Sequence, residues 1–414
     1  MTDTSARRAV FAATLGNTLE WFDLIVYAVF AAAIGRAFFP STDPTVSLLV
    51  SFGTFGVAFL MRPLGGIVLG SYADRKGRKA ALLITTTLMM SGTALIALTP
   101  AYSEIGVLAP ALVITARLMQ GFSAGGEFGA STTFLAEHAA DQKTFATSWQ
   151  FASQGAAMIL GALFGLLLPL VMTPESLDAW GWRLAFAFGL LIGPVTLYIR
   201  ARVEETDAFL SEKPPTRPLG DAVSTQAPAM LLAAGTIIVA TVSIYMFLYM
   251  PAYAPSQLGL KASDGAAASL VAAVAMLTVG PLAGFHADRI GRLRLAMISA
   301  AATIFLPIPL YAWLITNASG PALIAVQGVL AVVISVYLGV LPAILADLFP
   351  VRTRTTAMSL SYNVAVMIFG GFAPFIITWL IAETGWRAAP SYYVSATAAV
   401  GVVALMAAKR RGLR

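Results

Sequence analysis

The sequence predicts an all-α membrane protein with twelve transmembrane helices in two pseudo-symmetric six-helix bundles. Three observations carry that expectation. Only 11% of the residues are charged and 58% are hydrophobic, against about 25% charged in a soluble domain, so most of the surface must face lipid. Apolar runs of the roughly 20 residues needed to cross a bilayer recur along the whole chain. Several short motifs also return, in the same order, in the second half.

The apolar runs are 9–37, 46–72, 80–99, 106–136, 144–172, 182–201, 225–253, 265–287, 294–316, 320–347, 354–382 and 388–408. Pro63, Pro194, Pro251, Pro281, Pro342 and Pro374 lie inside them, where a membrane bundle tolerates kinks. No stretch alternates polar and apolar residues as a barrel strand would. Residues 1–8 are polar, and the run after them is too long for a signal-peptide core and lacks a small-residue cleavage site. It reads as an uncleaved first span.

Of the 26 Lys and Arg residues, twenty fall on one side of the spans, Arg200 among them. Four (Arg36, Arg183, Lys261 and Arg387) fall on the other, and two lie within spans. The positive-inside rule then puts both termini in the cytoplasm. The polar stretch 202–224 is the natural linker between an N-terminal bundle, 1–201, and a C-terminal bundle, 225–414. The net charge of +6 sits in short clusters between spans, which signals topology and not nucleic-acid binding. With no cysteine and two histidines, disulfides and Cys-ligated metals are excluded and a His metal site is disfavoured. No cofactor is expected. His138 and His286 fall at span ends.

The repeat is specific. Span 2 ends in Gly70-Ser71-Tyr72-Ala73-Asp74-Arg75-Lys76-Gly77-Arg78, and span 8 in Gly284-Phe285-His286-Ala287-Asp288-Arg289-Ile290-Gly291-Arg292, at an offset of 214. Gly181-Trp182-Arg183 returns as Gly385-Trp386-Arg387, and Ala136-Glu137 as Ala346-Asp347. Two halves related by an axis along the membrane normal follow. Gly70 and Gly284 permit close helix approach. Asp74 and Asp288 stand at helix C-termini, where the helix dipole disfavours them, so each needs a cation or a neighbouring helix N-terminus. Gly70, Asp74, Arg75, Gly77, Arg78, Gly284, Asp288, Arg289 and Arg292 are therefore candidate parts of a gating latch that breaks as the halves rock.

These paired loops resemble the signature of the major facilitator superfamily. Gly16-Asn17-Thr18-Leu19-Glu20-Trp21-Phe22-Asp23, Phe59-Leu60-Met61-Arg62-Pro63-Leu64-Gly65-Gly66 and Arg117-Leu118-Met119-Gln120-Gly121-Phe122-Ser123-Ala124-Gly125-Gly126-Glu127 look like its metabolite:proton symporter family. Thr147-Ser148-Trp149-Gln150 with Ser153-Gln154 and Trp180-Gly181-Trp182-Arg183 look most like the citrate/tricarballylate carriers. The resemblance covers the whole chain. It implies the major facilitator fold, a bacterial inner membrane, no enzymatic activity, and alternating-access symport of a small organic anion by a monomer. Family members also carry α-ketoglutarate, shikimate and proline/betaine. Leu293 stands where the second loop usually has a basic residue, so the second latch is expected to be weaker.

Five charges lie deep inside spans: Glu20, Asp23, Arg62, Arg117 and Glu127. Each costs roughly 2.5–3.5 kcal/mol on insertion scales and demands a reason. Arg62 lies 12 residues before Asp74, about 18 Å along the helix, near mid-membrane. Helical periodicity groups Asn17, Glu20, Asp23 and Tyr27 on span 1, Arg117, Gln120, Ala124 and Glu127 on span 4, and Gln150, Ser153 and Gln154 on span 5. The second half offers neutral groups: Thr241, Tyr245 and Tyr249, then Tyr337, then Ser359, Tyr362 and Asn363.

Guanidinium forks bind carboxylates in bidentate fashion. Arg117 and Arg62 are thus candidate ligands for a di- or tricarboxylate, with Gln120, Gln150, Gln154, Tyr245, Tyr337, Tyr362 and Asn363 as polar walls. Asp23 or Glu20 is the candidate proton site, with Glu127 the second. The coupling ion is H⁺, with Na⁺ the alternative, since three buried acids also suit a cation. The structural alternative is a pair of static bridges, Arg62–Asp23 and Arg117–Glu127. No H-E-x-x-H or GxxxxGK[ST] is present, which argues against a zinc hydrolase or a transport ATPase, and the one G-x-S-x-G, Gly121-Phe122-Ser123-Ala124-Gly125, lies inside an apolar run and not at a strand-to-helix turn.

Overall fold

The computed structural model describes residues 4–42, 44–202, 205, 210 and 218–411. Among these, regular structure is helical and every apolar run has become a helix or a broken helix pair. The first bundle contains α1 (Thr4–Val29, continued by Ala31–Phe38), α2 (Pro44–Lys76), α3 (Arg78–Leu98), α4 (Leu108–His138), α5 (Lys143–Val171) and α6 (Arg183–Arg202). The second contains α7 (Pro218–Leu258), α8 (Ala262–Ile290), α9 (Arg292–Phe305 then Pro307–Thr316), α10 (Gly320–Leu348), α11 (Arg354–Val366 then Ala373–Thr384) and α12 (Ala389–Arg410). Most of the 202–224 linker lies outside the described residues, and α7 begins inside it.

Three spans are less regular than the apolar pattern suggests. The two parts of α1 meet at 70°. α9 breaks before Pro307, whose ring cannot donate to the helix ladder. α11 is interrupted by a wide turn, Met367–Gly371. That turn lets Gly370 sit under Thr241 and Tyr245, where a Cβ would come within 2.5 and 2.7 Å of their side chains.

Among the described residues, ten helices are long and apolar enough to cross a membrane, eleven with the bent α1 pair. The remaining span, α4, falls short because of its polar residues, yet Arg117, Gln120, Ser123, Glu127, Ser131, Thr132 and Thr133 on it are all buried. α2, α3, α5 and α11 surround it. Against α2 it packs backbone to backbone: a Cβ at Gly121 would strike the Ala58 carbonyl, and one at Gly125 the Arg62 carbonyl. The two halves meet where α2 and α4 lie along α11, and where α5 lies along α8 and α10.

Candidate functional site

The buried charged residues among the described residues are Glu20, Asp23, Arg62, Asp74, Arg78, Arg117, Glu127 and Arg200, and the Glu137 side chain is buried with them, all in the first half. They form three groups.

The first group centres on the two arginines. Arg117 of α4 donates to Gln120 Oε1 at 2.8 Å, Gln120 Nε2 donates to Thr93 Oγ1 at 3.1 Å, and Thr93 bonds Asp23. The Arg117 guanidinium lies 4.4 Å from the Tyr27 ring centroid and 5.3 Å from that of Phe55. Arg62 lies 4.3 Å from Phe59 and 5.8 Å from Trp21. Nε and Nη2 of both arginines lack hydrogen-bond partners. Among the described residues no carboxylate lies within ion-pair reach of either, so the expected Arg62–Asp23 and Arg117–Glu127 bridges are not formed. No protein carboxylate among the described residues neutralises these two buried cations, and an unneutralised buried charge costs several kcal/mol.

The second half closes over this group. Tyr245 packs against Phe59 at 5.6 Å and Trp21 at 6.4 Å, and its hydroxyl has no partner. Arg62, Arg117 and Glu20 are its electrostatic neighbours. Tyr362 stacks on Phe128 with ring centroids 3.6 Å apart, and Gln154 stands against its hydroxyl. Asn363 donates to the Gly125 carbonyl at 2.6 Å across the halves. Gln150 is tied to Asn17, donating from Nε2 at 3.2 Å while its carbonyl accepts from Asn17 at 2.8 Å. Tyr337 differs from expectation: its hydroxyl donates to the Thr236 carbonyl at 2.7 Å, closing a helix contact within the second half. Tyr249 likewise bonds Thr378.

The second group pairs Glu127 with Arg200. Thr85 donates to Glu127 Oε2 at 2.5 Å, and Arg200 also donates to the Leu82 carbonyl at 2.9 Å and to Thr86 Oγ1 at 2.5 Å. The sequence counted Arg200 with the loop charges because it stands two residues from the end of α6. It is buried instead, its side chain turned into the bundle. The one local signal is Gly16, since any Cβ there would overlap the Arg200 guanidinium.

The third group holds the candidate latch residues. Asp74 accepts from the amide of Thr356 at 2.9 Å and from its hydroxyl at 2.6 Å, in the first turn of α11. Arg78 lies 3.6 Å from Asp74 and 3.5 Å from Glu137, and Arg354 reaches Glu137 at 3.2 Å. The second copy mirrors this. Asp288 accepts from Thr144 Oγ1 at 3.1 Å, at the start of α5. Arg292 meets Asp347 at 2.5 Å, and Lys143 also pairs with Asp347. Gly70 and Gly284 lie against Thr356 and Ser148, and Gly77, at φ +104°, supplies the turn. The need for a helix N-terminus or a cation is met at Asp74 by the Thr356 amide and Arg78, whereas Asp288, among the described residues, takes only the Thr144 hydroxyl. Arg75 and Arg289 lie on exposed faces. The copies differ in depth: Arg78 and Glu137 are 1% and 2% exposed, Arg292 and Asp347 27% and 31%.

Comparison with known proteins agrees with this architecture. Residues 10–326 and 265–412 match the family model described as Major Facilitator Superfamily. The citrate-proton symporter of Salmonella typhi is 37% identical over 402 residues, covering 96% of this chain and 92% of that protein. The glycine betaine/proline/ectoine/pipecolic acid transporter OusA of Dickeya dadantii is 35% identical, covering 97% and 83%. A solved proton:xylose symporter, XylE, superposes with a TM-score of 0.81 at 17% identity over 100% of this chain and 97% of that one, which speaks to the fold alone.

Proposed function

The chain belongs to the major facilitator superfamily, and on that premise we propose that it is a secondary active transporter carrying an organic di- or tricarboxylate together with a proton. Citrate and tricarballylate are the first substrates to test. The single observation that carries the reading is the pair of buried guanidiniums, Arg62 and Arg117, with no carboxylate bound to either. An anion with two carboxylates satisfies both forks at once. A monocarboxylate leaves one cation unpaired.

Coupling follows from the acids beside them. Asp23 is linked to Arg117 through Gln120 and Thr93, and Glu20 neighbours Arg62. When substrate carboxylates take over the arginines, a nearby acid loses its favourable field and binds a proton more readily. Substrate and proton then favour each other's binding by the same factor. Alternating access runs through the latches, which face the cytoplasm with both termini in a bacterial inner membrane. The latches on the two halves are joined in this structure, so it is closed on that side. The transporter acts as a monomer. The relative OusA supports a second reading, a zwitterion held by Arg62 and the rings of Trp21, Phe59 and Tyr245.

The test is uptake of labelled citrate into proteoliposomes under an imposed pH gradient, with proline and betaine as competitors, in Na⁺ and in choline media. Uptake that follows the pH gradient, is unchanged by Na⁺, and is blocked by tricarballylate supports the reading. Uptake blocked by betaine, or citrate affinity unchanged in Arg117→Ala, refutes it.

A further inference from the structure

One buried group remains outside that scheme. Arg200 reaches from α6 into a small cavity lined by Gly16, Leu19, Glu20, Thr85, Thr86, Met89, Glu127 and Arg200 itself. Two carboxylates and one cation share this space. Glu127 is fully engaged, by Arg200 and by the Thr85 hydroxyl. Glu20 faces the same cavity, one helical turn from Gly16, the residue whose missing side chain makes room for the guanidinium.

The groups that bear on Glu20 come from every element around it. They are Asp23 on its own helix, Arg62 of α2, Glu127 of α4 and Arg200 of α6, with Tyr245 of α7 and Tyr362 of α11. Of the two cations, Arg200 is held by Glu127, and Arg62 is the one offered to substrate. Once a substrate anion occupies Arg62, Glu20 faces Glu127 and an already neutralised Arg200. A second bare carboxylate in that closed space is then the costliest charge in the cluster.

We propose that Glu20 is the carboxyl that takes up the transported proton, and that Arg200 is a positioning residue that holds Glu127 in a fixed ion pair beside it. This deepens, and rests on, the reading of the chain as a proton-coupled carboxylate carrier. It also separates the two jobs spatially. The anion site is shared with the second half through Tyr245 and Asn363, whereas the cavity that Glu20 faces is lined by first-half residues, with Tyr245 and Tyr362 as its second-half neighbours.

The experiment uses the full-length protein in proteoliposomes with labelled citrate as probe, and two readouts: exchange at equal pH on both sides, and accumulation driven by a pH gradient. Glu20→Gln, which resembles the protonated acid, is expected to lose accumulation while exchange persists. Glu127→Gln frees Arg200 to pair with Glu20. An anion is removed and a cation freed, and both changes favour ionised Glu20, so accumulation persists with its pH midpoint lowered by about one unit. Arg200→Lys keeps the pair's charge and should shift that midpoint by less.

Three outcomes overturn the inference: gradient-driven accumulation by Glu20→Gln, loss of accumulation at every pH in Glu127→Gln, or loss of exchange along with accumulation in Glu20→Gln. The first would return the proton to Asp23, the second would give it to Glu127, and the third would make Glu20 part of the binding or packing machinery. Failure of the carboxylate reading is distinguishable, because the unsubstituted protein would then exchange no citrate at all, and this inference would fall with it.

Discussion

Asp74 and Thr356 lie 282 positions apart in the chain, yet the aspartate accepts two hydrogen bonds from that one threonine. The carboxylate of α2 thereby caps the first turn of α11, where the exposed amides and the helix dipole favour an anion. Asp74→Asn removes a charge-assisted contact worth about 1.5–3 kcal/mol, so the latch end should open more often. The chain has no cysteine, so spin labels can be placed on Lys76→Cys and Arg352→Cys without background. A broader, longer distance distribution in Asp74→Asn is the expected result, and an unchanged one would remove Asp74 from the latch.

The two copies of the latch should contribute unequally. Glu137 is buried between Arg78 and Arg354, whereas Asp347 is partly exposed between Arg292 and Lys143. Breaking a buried pair by removing one partner costs roughly 3–5 kcal/mol, and a surface pair rarely exceeds about 1 kcal/mol. Glu137→Gln should therefore lower the melting temperature in detergent well beyond Asp347→Asn. Raised salt should weaken only the second latch.

The arginine forks predict a chemical distinction. Arg62→Lys and Arg117→Lys keep the charge and lose the planar pair of donors. Each should weaken citrate binding at least about tenfold, roughly 1.4 kcal/mol, by calorimetry on purified protein. The melting temperature should hold or fall slightly, since a cation stays buried at each position and the ring and hydrogen-bond contacts of the guanidinium are lost.

Gly125→Ala should act on stability and on binding together. Its methyl would overlap the Arg62 carbonyl and press α4 away from α2. Overpacking of this kind costs about 1–3 kcal/mol. A lower melting temperature with weaker citrate affinity is expected, because the displaced helices carry the two arginines.

The individual deep charges were legible in the sequence because an Arg or Asp inside an apolar run has nowhere else to be. Their pairing was not. The structural alternative pairs Glu127 with Arg117, on its own helix, but Glu127 takes Arg200. At the end of a span, Arg200 was indistinguishable from the loop charges that set topology, and only its long, flexible stem lets it turn back into the bundle. The Glu137/Asp347 echo was visible, yet its cross-half partners were not, since Arg354 and Lys143 differ in type and belong to no repeated motif. The tyrosines show the opposite limit. Tyr245 and Tyr337 both read as polar groups on helix faces, but only the fold reveals that Tyr337 is bound to a carbonyl and Tyr245 is free.

The polarity of α4 has a consequence for how the chain is made. A helix carrying Arg117, Gln120 and Glu127 is penalised as it leaves the translocon, by up to roughly 2.5–3.5 kcal/mol for a charge near its centre. Its own hydrophobicity does not carry it into lipid. Its entry depends on α2, which offers a glycine-lined backbone track, and on α3, whose Thr85 and Thr93 accompany its polar face. Both precede it on the nascent chain. Arg200 emerges more than sixty residues later, so during synthesis Glu127 must wait for its partner, and the first bundle becomes electrically complete only when α6 arrives.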